Sequence, residues 1–203
     1  QIFMFVNIEG QGRHSFRDDG WRDLFGTADF YTYLRTGSSS PHTFFFRTSG
    51  TAGWSVETPF QLTLGGREAV RGLYEDDIPG ARRVLFTLED RIFLEWPSPD
   101  VVDCGFTLFA DVGRMWAGEV PYGTNSGWRG SAGFGLRMGF PASTRAVGRI
   151  DLAFPINDPI SRGPVFRVTL IELLGIGSGF RDHQLQKALR NPVGPDLFLT
   201  PMR

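Results

Sequence analysis

An alternation of apolar and polar residues, repeated in segment after segment, constrains the fold of this chain more than any other feature. In Arg83–Phe93, one face carries Val84, Phe86 and Leu88, whereas the opposite face carries charge in its middle, at Glu89. Because successive side chains of a β-strand point to opposite faces, the pattern predicts strands with one apolar and one polar side. The eight segments predicted as strands are Ile2–Gln11, Leu24–Thr36, Thr43–Trp54, Arg83–Trp96, Asp103–Trp116, Gly130–Phe140, Ala146–Pro155 and Pro164–Leu174.

These segments leave two all-β architectures open. Strands of about ten residues are long for a soluble domain and close to the length that crosses a bilayer at a tilt. The strands of a soluble sandwich also alternate, so periodicity alone does not decide which face meets water. Four tryptophans stand at strand ends or in adjacent loops, where the interfacial girdle of a membrane barrel would place them: Trp54, Trp96, Trp116 and Trp128. On these residues alone, a barrel and a sandwich are about equally expected.

Composition and motifs exclude several function classes. The 203 residues fit one domain, and the net charge of −1 argues against a general nucleic-acid binder. Cys104 is the only cysteine, and His14, His42 and His183 stand outside metal-ligand spacing, so no zinc or iron site is predicted. The Gly-rich stretch 130–139 is not followed by a helix and is therefore no nucleotide fingerprint. We predict no enzyme activity and no cofactor.

One loop carries the most specific motif of the chain. In the stretch "LGGREAVRGLYEDDIPG", residues 64–80, the run Val70-Arg71-Gly72 is followed at a distance by Phe109, Asp111 and Gly113 in "GFTLFADVGRMW". Together with "RRVLFTLEDRIFL" and "VGRIDLAFPI", this order resembles the C-terminal barrel of the bacterial surface-antigen superfamily. That superfamily includes the BamA and TamA assembly factors and the transporters of two-partner secretion. The resemblance is strongest over residues 64–156.

The resemblance implies a fold, a site and a function. It implies an antiparallel transmembrane β-barrel in the bacterial outer membrane, acting in membrane-protein insertion or polypeptide translocation. The Val70-Arg71-Gly72 loop would fold back into the lumen, where Arg71 would pair with Asp111 and, as a second partner, with Glu89. The implied partners are outer-membrane lipid and an unfolded polypeptide client, with no nucleic acid. Two alternatives stay open: a structural barrel subunit that anchors a larger envelope complex, and a soluble sandwich with Arg71 in a solvated turn.

The chain also departs from that family. Leu73 stands where the loop usually carries an aromatic residue, and Tyr74 follows one place later. Family barrels have twice as many strands as the eight predicted here. Eight strands could close alone into a small barrel with an interior filled by side chains. If the loop folds inward, we expect the eight to form half of a larger wall. The remaining strands would come from a further part of the chain, a second copy or another protein. We expect residues 1–180 to be the barrel domain and 181–203 to be a periplasmic tail with a short helix at Asp182–Arg190.

Overall fold

The computed structural model describes residues 2–17, 19–37, 40–57, 60–66, 68–98, 102–139, 146–159 and 163–172. The predicted tail, residues 181–203 with its helix at Asp182–Arg190, lies outside the described residues. Within those ranges the protein is all-β, and no helix is long and apolar enough to cross a membrane.

The ranges just given contain ten strands, and all eight predicted strands are among them. The additional two are very short and lie in the loop that contains Arg71. The strands are β1 Ile2–Ser15, β2 Gly20–Arg35, β3 His42–Trp54, β4 Leu62–Thr63, β5 Pro79–Gly80, β6 Arg82–Ser98, β7 Val102–Trp116, β8 Gly127–Gly139, β9 Ala146–Ile156 and β10 Val165–Glu172.

The eight long strands form one antiparallel sheet in the order β1-β2-β3-β6-β7-β8-β9-β10. Consecutive long strands are neighbours throughout, and β3 pairs with β6 across the intervening loop. In the described part of the chain, β1 and β10 are its edges, so this sheet is open and not closed into a barrel. The predicted all-β antiparallel wall of about eight strands is confirmed; the finer prediction of a transmembrane barrel is taken up below as a proposal.

The two faces of this sheet differ in chemistry. One face, which we call the outer face, is mostly apolar and exposed, and it also carries the ion pair between His42 and Asp90. Its exposed side chains include Val6, Ile8, Leu34, Phe44, Phe46, Phe86, Leu88, Phe106, Leu108, Val112, Phe134, Leu136, Phe154, Ile156, Phe166 and Val168. The opposite, inner face carries the buried polar and charged groups, including Asp29, Ser49, Thr107 and Asp151. The sheet is thus the reverse of a soluble one, in which the apolar face would be the covered face.

An apolar cluster fastens the loop between β3 and β6 onto the inner face. Leu62 and Leu64 from the loop pack with Leu85 of β6 and Met115 of β7, all buried. The rings of Phe25 and Phe60 lie 4.5 Å apart, centroid to centroid. This cluster marks one end of the sheet, which we call the loop-bearing end, and it positions the site described next.

Candidate functional site

Residues 60–81, which we call the inner loop, have a compact structure of their own. β4 pairs with β5, a parallel bridge joins Gly65 to Val70, and the backbone N–H of Val70 donates to Leu64 O at 3.0 Å. The fully buried side chains of the inner loop are apolar and include Leu62, Leu64, Val70 and Leu73.

Arg71 lies at the centre of the inner loop's contact with the sheet. Its Nε donates to Oδ2 of Asp111 at 2.6 Å, and its Nη2 donates to Oδ1 of the same carboxylate at 2.7 Å. Its Nη1 donates to Oε1 of Glu89 at 2.6 Å. The exposed fractions of the three side chains are 3% for Arg71, 3% for Glu89 and 2% for Asp111. The structure therefore brings the three predicted residues into one buried cluster, with the two-pronged geometry that a guanidinium gives a carboxylate.

The three named residues of the Phe-Xaa-Asp-Xaa-Gly motif on β7 all lie against the inner loop. The guanidinium carbon of Arg71 lies 3.6 Å from the centroid of the Phe109 ring, close enough for a cation–π contact. Asp111 accepts the two side-chain hydrogen bonds just described. A Cβ atom at Gly113 would come within 2.8 Å of the Leu64 side chain, so glycine leaves room for the loop. The spacing of two residues puts all three positions on the same face of the strand.

Asp111 depends on Arg71 for its only described arginine contact. Its other side-chain partners are hydroxyls: Thr87 Oγ1 donates to Oδ1 at 3.0 Å, and Ser131 Oγ donates to Oδ2 at 3.3 Å. The backbone N–H of Arg71 also donates to Oδ2, at 3.3 Å. A buried carboxylate needs hydrogen bonds and an opposite charge, and here the loop supplies the charge.

Glu89, in contrast, has arginine partners on the sheet itself. Besides Arg71, Nε of Arg91 lies 2.8 Å from Oε2, and Nη2 of Arg137 lies 2.8 Å from the same oxygen. Nη2 of Arg149 lies 3.4 Å from Oε1. Glu89 therefore joins β6, β8, β9 and the inner loop through one carboxylate. The sequence predicted its contact with Arg71 but not those with Arg137 and Arg149, which are distant in the chain.

Asp111 and Glu89 stabilise the charged form of Arg71. Burial alone would lower the pKa of its guanidinium, but the charge and hydrogen bonds of Asp111 and the charge of Glu89 outweigh it and raise that pKa. Arg71 thus stays a cation at any pH at which the protein folds.

Gly72 permits the loop to approach the sheet. A Cβ atom at this position would lie 2.6 Å from Cβ of Ser131 and 3.0 Å from Cα of Pro155, both on the sheet. The next residue, Leu73, is 1% exposed, whereas Tyr74 is 50% exposed. Leu73 is therefore the buried residue that follows Gly72, whereas Tyr74 is half exposed.

Three further arginines from the sheet hold the backbone of the inner loop. They come from β3, β6 and β10 and donate to carbonyl oxygens on both sides of Arg71. Strand parity could have identified them, since each shares the polar face of its strand. The donors and acceptors are Arg47 to Glu68 O (3.0 Å), Arg83 to Thr63 O (2.7 Å) and Arg167 to Leu73 O (3.0 Å).

The cluster holds groups in place and offers no reactive pair. Among the described residues, no group of three or more His, Cys, Asp or Glu side chains could hold a metal ion. Comparisons with protein-family models, with curated proteins and with solved structures found no match to this chain. The resemblance to the surface-antigen superfamily therefore rests on the sequence motifs, and what the described geometry adds is an arginine-anchored loop on a polar sheet face.

Proposed function

We propose that this protein is an integral outer-membrane β-barrel protein that acts in membrane-protein insertion or polypeptide translocation. The observation that carries the proposal is the inner loop: Arg71 is buried between Asp111 and Glu89 on the polar face of a sheet whose other face is apolar and exposed. A lipid-facing wall with a polar lumen needs this distribution. A soluble domain would bury the apolar face.

The open edges extend the proposal to further strands. In hydrocarbon, unpaired backbone groups at a sheet edge each cost several kcal/mol, so a membrane wall closes on itself. An eight-stranded barrel has an interior filled by its own side chains, with no room for a folded loop. The inner loop therefore favours a larger wall, in which β1 and β10 pair with strands from a further part of the chain, a second copy or another protein.

A reconstitution experiment tests this function. Protein folded into lipid vesicles is expected to resist alkaline extraction and to speed the folding of an unfolded outer-membrane barrel client several-fold, measured by protease protection of the client. Arg71→Met should reduce that acceleration if the anchored loop takes part. Protein that stays soluble without detergent would overturn the membrane assignment.

A structural role in an envelope complex is the second candidate, and β1 favours it. Its side chains are exposed on both faces, including Phe3 and Phe5 on the inner side and Met4 and Val6 on the outer side. Such a strand offers both an apolar surface and unpaired backbone groups to another protein. Membrane-embedded protein that purifies with a stoichiometric partner, and that leaves client folding unchanged, would select this role over the first.

A further inference from the structure

Two outward-facing arginines at the loop-bearing end have no acidic partner among the described residues. Arg82 starts β6 and Arg114 lies near the end of β7, and both share the outer-face parity of Val84 and Val112. In the described part of the chain, no carboxylate lies within ion-pairing distance of either, and the buried Nε of each has no hydrogen-bond partner. The inner-face arginines differ, since they contact carboxylates or carbonyl oxygens.

Three tryptophans lie next to these arginines, in ring contacts or as cross-strand neighbours. The guanidinium carbon of Arg82 lies 5.5 Å from the Trp54 ring centroid, and that of Arg114 lies 4.9 Å from the Trp116 ring centroid. Arg82 pairs with Trp116 across the strands, and Arg114 pairs with Trp128. We call these five residues the arginine–tryptophan belt. Tryptophan at this level fits the boundary between lipid tails and headgroups, and a guanidinium stacked on a ring keeps its N–H edge free.

The spacing of the two arginines suits one anionic group. Because Arg82 opposes Trp116 and Val84 opposes Arg114, the arginines occupy diagonal positions on adjacent strands, which places their Cα atoms roughly 7–8 Å apart. Two loop acids at this end are engaged elsewhere: Glu57 pairs with Arg13 and Arg22, and Glu119 accepts from the backbone N–H of Ser55. Positive charge is therefore left uncompensated at the edge of the apolar face.

A groove adjoins the belt on the same face. It has a volume of about 430 Å³, and its floor is formed by small residues of β2 and β3, with Trp54 and Arg82 at one end. The small residues are Gly26, Ala28, Gly50 and Ala52, which are cross-strand neighbours. A groove of this size lies within the range of small-molecule sites, roughly 300–1,000 Å³.

We propose that the arginine–tryptophan belt binds an anionic phospholipid, with its phosphate between Arg82 and Arg114 and an acyl chain in the adjoining groove. The forked donors of arginine match phosphate oxygens, and a site beside an apolar face favours a phosphate that is attached to a lipid. This inference rests on the proposed membrane function.

Tryptophan quenching by brominated lipid tests the site. The full chain is folded into phosphatidylcholine vesicles containing a minor fraction of either brominated phosphatidylglycerol or brominated phosphatidylcholine. Three of the five tryptophans lie in the belt. The wild type should show a clear preference for phosphatidylglycerol, and Arg82→Gln or Arg114→Gln should each reduce that preference about fivefold. Arg17→Gln, which removes an exposed charge from the β1–β2 turn, is the matched control and should leave the preference unchanged.

The outcomes separate the site from the membrane function. Equal quenching by both lipids, or equal loss in the Arg17 control, would overturn the lipid site and leave the membrane assignment standing. Absence of quenching by either lipid would overturn both. Should an arginine variant fail to fold, Ala52→Leu fills the groove and keeps both arginines; it should also weaken the preference, and an unchanged preference would contradict the acyl-chain position.

Discussion

Replacing Arg71 with methionine tests the buried cluster most directly. The substitution keeps most of the side-chain length but removes three charge-assisted hydrogen bonds of 2.6, 2.7 and 2.6 Å. Asp111 then loses its only described arginine and keeps two hydroxyl donors and a backbone N–H, while Glu89 keeps three arginines. Breaking a buried ion pair costs roughly 3–5 kcal/mol, and because only one acid is left without a cation, we expect the low end, about 3 kcal/mol.

Double-mutant cycles show where that free energy resides. The coupling of Arg71→Met with Asp111→Asn should be about 2 kcal/mol, and the coupling with Glu89→Gln should be smaller because Glu89 has other cations. Arg71→Lys keeps the charge but cannot present two donors to one carboxylate and a third to another, so it should lose part of the stability.

Urea unfolding of detergent-folded protein, followed by tryptophan fluorescence, measures these free energies. Arg17→Met removes an arginine from an exposed turn and should change the free energy of unfolding by less than about 0.5 kcal/mol. A loss for Arg71→Met no larger than that of Arg17→Met, or a stronger coupling to Glu89 than to Asp111, would refute the reasoning.

Three further substitutions probe the inner loop, each measured as a change in the free energy of unfolding. Gly72→Ala brings a Cβ against Ser131 and should cost about 2 kcal/mol, whereas Gly37→Ala meets nothing within 4 Å and should cost nothing. Glu89→Gln leaves several buried arginines without their shared acid and should cost about 3 kcal/mol. Leu62→Ala opens a cavity in the apolar cluster and should cost about 2–4 kcal/mol. A change within about 0.5 kcal/mol of wild type at Gly72, Glu89 or Leu62 would contradict the contact concerned.

Strand positions were predictable because the signal is local. Side-chain alternation has a period of two and reports directly which residues share a face, so Arg83–Trp96 was placed within two residues of the observed β6, Arg82–Ser98. The short strands β4 and β5 were missed because two residues carry no period. Alternation also could not predict that β1 and β10 are edge strands, because it reports which face each side chain takes and not which strands pair.

The contacts of Arg71 were predictable only through the motif. Val70-Arg71-Gly72 and Asp111 are distant in sequence, and residue types alone do not join them; the ordered motif series of the resembled family suggested the pairing. Leu62 and Leu64 show the opposite case: their burial follows from the loop's own turns, which bring both side chains against β6 and β7. Sequence periodicity does not predict a tertiary contact of that kind.

The two faces together account for the choice of basic residue in this chain. Of the 21 Lys and Arg residues, Lys187 is the only lysine, which leaves 20 arginines. On the inner face, Glu89 contacts four guanidinium groups, and Asp111 accepts hydrogen bonds from two nitrogens of the Arg71 guanidinium. A compact ammonium group cannot form this two-pronged arrangement. Guanidinium is also more weakly hydrated, so burying it costs less. A buried loop contact requires a cation with a fixed charge and two parallel donors, and arginine supplies both. The same two donors suit Arg82 and Arg114 to the proposed lipid phosphate.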